Sequence, residues 1–195
     1  MANLEDLRQG VRLSLPEIAE IRNSELREKV VEAWALALSQ TEFQRIEEIR
    51  SSGNPKSPPM KRGSQADHLR GVTRMALALA EQLEQVIGPF GVDRDLLLAC
   101  ALCHDVGKPF EFSPRNQARW EGTPAAVGYP AIRHSVYGVH LALSVGLPEA
   151  VAHTAGAHSG EGELITRSLE NTIVHHADYA YWRILERAGL LETGP

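Results

Sequence analysis

The chain has 195 residues, 43% hydrophobic, 23% charged and 6% aromatic, a length of one domain and a little more at roughly 150 residues per domain. This composition excludes a wholly disordered, collagen-like or disulfide-scaffold protein. Twenty basic against twenty-five acidic residues give a net charge of -5, so no global electrostatic drive favours nucleic acid or an anionic membrane.

The opening MANLEDLRQG carries charges and no apolar core segment, unlike a secretory signal. Between Leu15 and Gln40, Ile18, Ile21, Leu26, Val30, Trp34 and Leu38 form one helical stripe. Asn23 and Ser24, as N-cap residues, divide it into a short helix and a longer one. Phe43, Ile46 and Ile49 extend the same periodicity. Residues 51 to 64, rich in Pro, Gly and Ser, read as a loop: either solvated and flexible, or a phosphate-contacting flap using Lys56, Lys61 and Arg62.

A long helix follows from Asp67 to Gly88, with Leu69, Val72, Met75, Leu79, Leu83 and Val86 on one face. The next helix starts at Asp93, ends at Gly107 and is apolar nearly all round, which marks it as the buried centre. Its run from Leu96 to Cys103 is the longest uninterrupted apolar stretch, far below the 18 or so residues that span a bilayer. Cys100 and Cys103 lie inside it and read as buried packing, reduced in a cytoplasmic setting. Residues 109 to 130 show no period and read as a long loop, functional or mobile. Three more helices follow, over 131–146, 147–159 and 168–189. No strand pattern is present. The expectation is an all-α bundle of about seven or eight helices. Residues 1–63 pack on the core, or across a homodimer interface, and residues 64–195 carry the chemistry.

All eight histidines fall between positions 68 and 176. His104 and Asp105 are adjacent at a helix end, where both can reach one ion. Imidazole with carboxylate suits Zn, Mn, Fe, Co or Ni. His68 opens the preceding helix, His134 opens a helix, His158 closes one, and Asp178 lies in the last. With its segment HDVGK and this order of His and Asp, the region 64–182 resembles the HD-domain metal-dependent phosphohydrolase superfamily, an all-α bundle. AHSGEGE resembles a second segment of that family, with Ser159 where a His often stands.

The resemblance implies that His68, His104, Asp105 and Asp178 hold one divalent transition metal. Asp105 would bridge to a second ion held by His134 and His158, with His153 as the competitor for His158. Two ions about 3.5–4 Å apart clamp the oxygens of a phosphoryl transfer and acidify a water. Asp105 and Lys108 are then the catalytic candidates, although Lys108 also suits a helix C-terminus as a dipole partner. Arg115, Arg119 and Arg133 are candidate phosphate forks. Of the aromatics Trp120, Tyr129, Tyr179 and Trp182, Tyr179 is the first choice to line a substrate pocket. His140 reads as structural, His175 as a neighbour of the ligands, and His176 as exposed or capping.

The function implied is a phosphohydrolase or phosphodiesterase acting on a small phosphate ester, nucleotide or cyclic phosphate. Archaeal members that open a pterin cyclic phosphate look relevant, but no residue here selects their substrate, and an oligonucleotide substrate stays open. The alternative is a mixed-valence di-iron oxygenase resembling myo-inositol oxygenase, which shares the ligands and the HDxGK segment. A non-catalytic, metal-stabilised binding module is a third class.

Overall fold

The computed structural model describes residues 3–192, and those residues are all-α, with one isolated bridge between Met60 and Leu191. Eight longer helices carry the fold: α1 Leu4–Ser14, α2 Ser24–Ser39, α3 Gln65–Ile87, α4 Arg94–Cys103, α6 Pro114–Gly122, α8 His134–Ser144, α9 Glu149–Ala157 and α10 Leu169–Arg187. Two short ones complete it, α5 Lys108–Phe112 and α7 Pro124–Val127. No helix among the described residues is long and apolar enough to cross a membrane.

Side-chain caps set most of the starts. Asn3, Asn23, Ser64, Asp93, Ser113 and Ser168 each accept a backbone N–H from the first turn of α1, α2, α3, α4, α6 and α10. Such a cap contributes about 1 kcal/mol. At α3 the reciprocal bond from Ser64 N–H to Asp67 completes a capping box.

Helix α4 is the buried axis. Every residue from Leu97 to Cys103 is at most 1% exposed, and α3, α9, α10 and α2 pack around it. Burial pushes the Cys100 thiol up to about 12 and raises Cys103 as well, so both are inert thiols. The N-terminal helices share this core. Trp34 of α2 is fully buried and its Nε1 donates to the Leu102 carbonyl at 2.9 Å. Glu17, 1% exposed, pairs with Arg70 of α3 at 3.1 Å.

Two expectations need correction, and one helix is additional to them. Residues 4–14 form α1, through the Asn3 cap, the acidic first turn and buried Leu7 and Val11. Ile46 and Ile49 are buried, but in a 3-10 turn over Ile46–Glu48 and its exit, so there the apolar spacing reports burial without a helix. Residues 109–130 hold α5, α6 and α7 instead of a structureless loop. Pro109, Pro114 and Pro124 each sit in a helix's first turn, where a missing N–H costs nothing.

Helix α4 also stops earlier than Gly107. The chain turns over residues 104–107 and enters α5 directly. Gly107 has an ordinary φ of -81°, and glycine is needed there for space. A Cβ would lie 2.1 Å from the His134 carbonyl oxygen and 2.7 Å from the Gly138 nitrogen, both backbone atoms of α8. This contact docks the Cys103–Lys108 turn on the start of α8. Gly107→Ala is expected to destabilise the protein by about 3 kcal/mol, read as a lower urea midpoint with unchanged slope. A parent-like midpoint would contradict the close approach.

Candidate metal centre

Six side chains converge with the Asp105 carboxylate at their centre, and five of the six come from helix ends. His68 lies in the first turn of α3, His104 caps the end of α4, and Asp105 sits in the following turn. His134 is the first residue of α8, His158 caps the end of α9, and Asp178 lies within α10. All six are at most 6% exposed.

The two oxygens of Asp105 face different partners. Oδ2 lies 3.3 Å from His68 Nε2 and 3.4 Å from His104 Nε2. Oδ1 lies 3.2 Å from His134 Nε2 and 3.6 Å from His158 Nε2. Asp178 joins the first set, with Oδ1 3.3 Å from His68 Nε2 and 4.0 Å from His104 Nε2. His68, His104 and Asp178 form one group able to hold an ion, and His104, Asp105 and His158 another.

The hydrogen bonding fits a cation between these groups. His104 Nδ1 donates to the Ala101 carbonyl at 2.7 Å, His134 Nδ1 to Glu111 Oε2 at 2.5 Å, and His158 Nδ1 to the Ala155 carbonyl at 3.1 Å. A neutral imidazole that donates from Nδ1 carries its lone pair on Nε2. Three such lone pairs therefore point at one carboxylate. Acceptor against acceptor in a dry site is costly, and a divalent ion between them resolves it. Buried Asp178 Oδ1 likewise accepts no hydrogen bond.

The charge balance points the same way. Burial acts to lower the His104 pKa, yet the Asp105 and Asp178 carboxylates overcome it and raise it. Burial wins at His68 and His134, which are lowered. Burial opposes the charge on Asp105 too, but the Lys108 ammonium and the imidazoles hold it well below the usual carboxylate range. The site thus favours positive charge beside Asp105.

Lys108, at the start of α5 and 1% exposed, places Nζ 3.3 Å from Asp105 Oδ2 and donates to the Ser52 carbonyl. The segment 51–64, expected to be either solvated and flexible or a flap, thus reaches the site: Ser52 is fully buried and Gly53 lines the cavity. Lys56 lies over the Tyr129 ring and Lys61 is tied to the Gly189 carbonyl, so neither reaches the centre.

A cavity of about 160 Å³ opens over the centre, lined among others by Lys108, Arg133, Ser159, Tyr179 and Trp182. Larger surface depressions, about 430 Å³ beside Arg8 and Glu32 and about 470 Å³ along Leu79 and Leu83, hold no convergent ligand set. Of the three candidate arginines, only Arg133 lines the cavity. Arg115 donates to the Gln40 carbonyl and faces Glu42, and Arg119 lies exposed against Trp120. Both sit on α6, which the sequence does not present as a helix and which turns them away. Trp120 is core, and Tyr129 bonds Gln117 and Glu121.

The remaining histidines divide plainly. His153 Nε2 accepts from Ser168 N–H at 3.2 Å and does not enter the centre. His175 Nδ1 donates to the His158 carbonyl at 2.6 Å, bracing that residue from behind. His176 is exposed, and so is His140, whose ring lies against Tyr137. Two contributors carry no motif signal. Gln65 Nε2 donates to Asp105 Oδ2 at 2.8 Å, and Glu111 is fully buried against His134 and Arg133.

Comparison with known proteins agrees with this geometry. The chain is 29% identical over 175 residues to the dihydroneopterin 2',3'-cyclic phosphate phosphodiesterase of Methanocaldococcus jannaschii. The alignment covers 83% of this chain and 64% of the relative, so the chain spans less than two thirds of that protein's length. No solved structure matches. The family model of the HD domain matches residues 66–181, more than half of the chain and the stretch holding all six convergent side chains, and the protein belongs to the HD-domain family.

Proposed function

We propose that this protein is a metal-dependent phosphodiesterase that opens a small cyclic phosphate, with two divalent ions either side of Asp105. The observation that carries the reading is the division of the Asp105 carboxylate, Oδ2 toward His68 and His104 and Oδ1 toward His134 and His158. His68, His104 and Asp178 would complete one ion's ligands, and His134 and His158 the other's. When bound, such ions supply Lewis acidity and bring a water's pKa from about 15.7 toward about 7.

The chain's own groups do the rest. Lys108 presents a cation, held by the Ser52 carbonyl, at the cavity wall beside Asp105. Arg133 presents a guanidinium at the same cavity, anchored at Nε by Glu161 at 2.8 Å. Two cations on one small cavity suit a phosphate. Tyr179, 40% exposed, and Trp182 give that cavity an aromatic edge, which suits a substrate with a flat ring. The relative's substrate, dihydroneopterin 2',3'-cyclic phosphate, combines a ring system with a cyclic phosphate. Hydrolysis adds water across one P–O ester bond of the ring and leaves a phosphomonoester. An oxygenase would use the same ligands, and the phosphodiesterase relative favours hydrolysis over it.

Metal binding tests the ligand assignment. Protein purified without chelator is expected to hold close to two transition-metal ions per chain. Asp105→Ala should lose both and His134→Ala mainly one, read by elemental analysis. Two ions retained in Asp105→Ala would contradict the shared ligand.

Turnover tests the reaction. Under argon, Mn, Co, Ni or Zn should each support cleavage of 2',3'-cyclic nucleotides or dihydroneopterin cyclic phosphate to a monoester. Lys108→Ala should lower turnover about 100-fold while keeping the ions. Silence across this panel, with iron in the protein and substrate-dependent O₂ uptake, would assign the oxygenase instead.

A further inference from the structure

Glu111 is fully buried and lies outside the metal-ligand group. It stands on the short helix α5, two turns of chain after Asp105, and both of its oxygens are engaged. Oε2 accepts from His134 Nδ1 at 2.5 Å and from the His134 backbone N–H at 2.9 Å. Oε1 accepts from Arg133 Nη1. Helix α8 has no side-chain cap from its own N-cap residue, Arg133, so Glu111 caps it from another element and adds negative charge at its N-terminus.

We propose that Glu111 is a positioning residue that ties metal ligation by His134 to substrate-anion binding by Arg133. With one oxygen it keeps the His134 proton on Nδ1, which leaves Nε2 free to point at Asp105 Oδ1. With the other it orients the guanidinium on the cavity wall, where Glu161 holds Nε. Arg133 and His134 are consecutive residues whose side chains serve different ends, and one rigid carboxylate sets both. A neutral amide cannot do this. Turned to accept from His134, its NH₂ would face the Arg133 donors.

The inference rests on the reading of His134 as a ligand and Arg133 as an anion contact, and the test separates the two. Co²⁺ is titrated calorimetrically into chelator-treated parent, Glu111→Ala, Glu111→Gln and His134→Ala. Inorganic phosphate is then titrated into each metal-loaded protein. The parent should take two equivalents of Co²⁺. Glu111→Ala should bind one of them about 10–100-fold more weakly, the same one that His134→Ala loses, with the other unchanged. Glu111→Gln, the variant closer in shape, should keep both equivalents but bind phosphate about tenfold more weakly. A role in packing alone would lower stability without this division between metal and phosphate.

Parent-like Co²⁺ and phosphate affinities in both variants would overturn the inference. So would loss of both equivalents together in Glu111→Gln. A parent that binds no Co²⁺ would overturn the underlying reading of the site, which is a different result from unchanged Glu111 variants in a parent that binds two.

Discussion

Four imidazoles surround the Asp105 carboxylate, each presenting Nε2 within 3.6 Å of one of its oxygens. Three of them have their Nδ1 protons committed elsewhere, to Ala101, Glu111 and Ala155. Packed this way without positive charge between them, the groups would repel in a medium where water cannot help. The rest of the structure answers to that constraint. It must bring four helix ends to one point and hold them against local repulsion. A cation that relieves the repulsion binds the folded state only, so it also stabilises the fold.

The fold meets the constraint by placing turns, where chains reverse, inside the protein. The segment from His104 to Lys108 is buried from end to end. It joins α4 to α5 at a point where α8 approaches so closely that Gly107 has no room for a side chain. Lys108 is satisfied by the Ser52 carbonyl, on a segment that a reading of composition places in solvent. That segment is pinned at both ends, through Met60 N–H to Ser51 and Lys61 N–H to Leu190. The N-terminal helices thereby reach the centre indirectly: they form one core with α4 and position the strap over the lysine.

The convergent His and Asp side chains could be named from the sequence because the HDVGK segment carries a family resemblance, and that resemblance implies the set. Their helices carried clear stripes, caps and terminal glycines, as at Asp93, Gly146 and Gly189. What escaped reading depends on tertiary contact. Glu111 and Gln65 look like ordinary surface residues in the sequence, and only the packing of α5 and α3 buries them. Arg115 and Arg119 look as good as Arg133 for binding phosphate until α6 exists and turns them outward. The stretch 109–130 hid its helices because proline signals both a break and a start, and the local sequence does not separate the two. Residues 4–14 did carry a signal, Asn3 followed by Glu5 and Asp6, with Leu4, Leu7 and Val11 spaced three and four apart.

The account stands or falls on whether Asp105 lies between two ions. Anomalous X-ray scattering from crystals of the protein grown with Mn²⁺ locates them directly. The expected result is two peaks about 3.5–4 Å apart. One would lie among His68, His104, Asp178 and Asp105 Oδ2, and the other among His134, His158 and Asp105 Oδ1. A single peak that leaves His134 and His158 unligated, with Asp105 bound through one oxygen only, would contradict it.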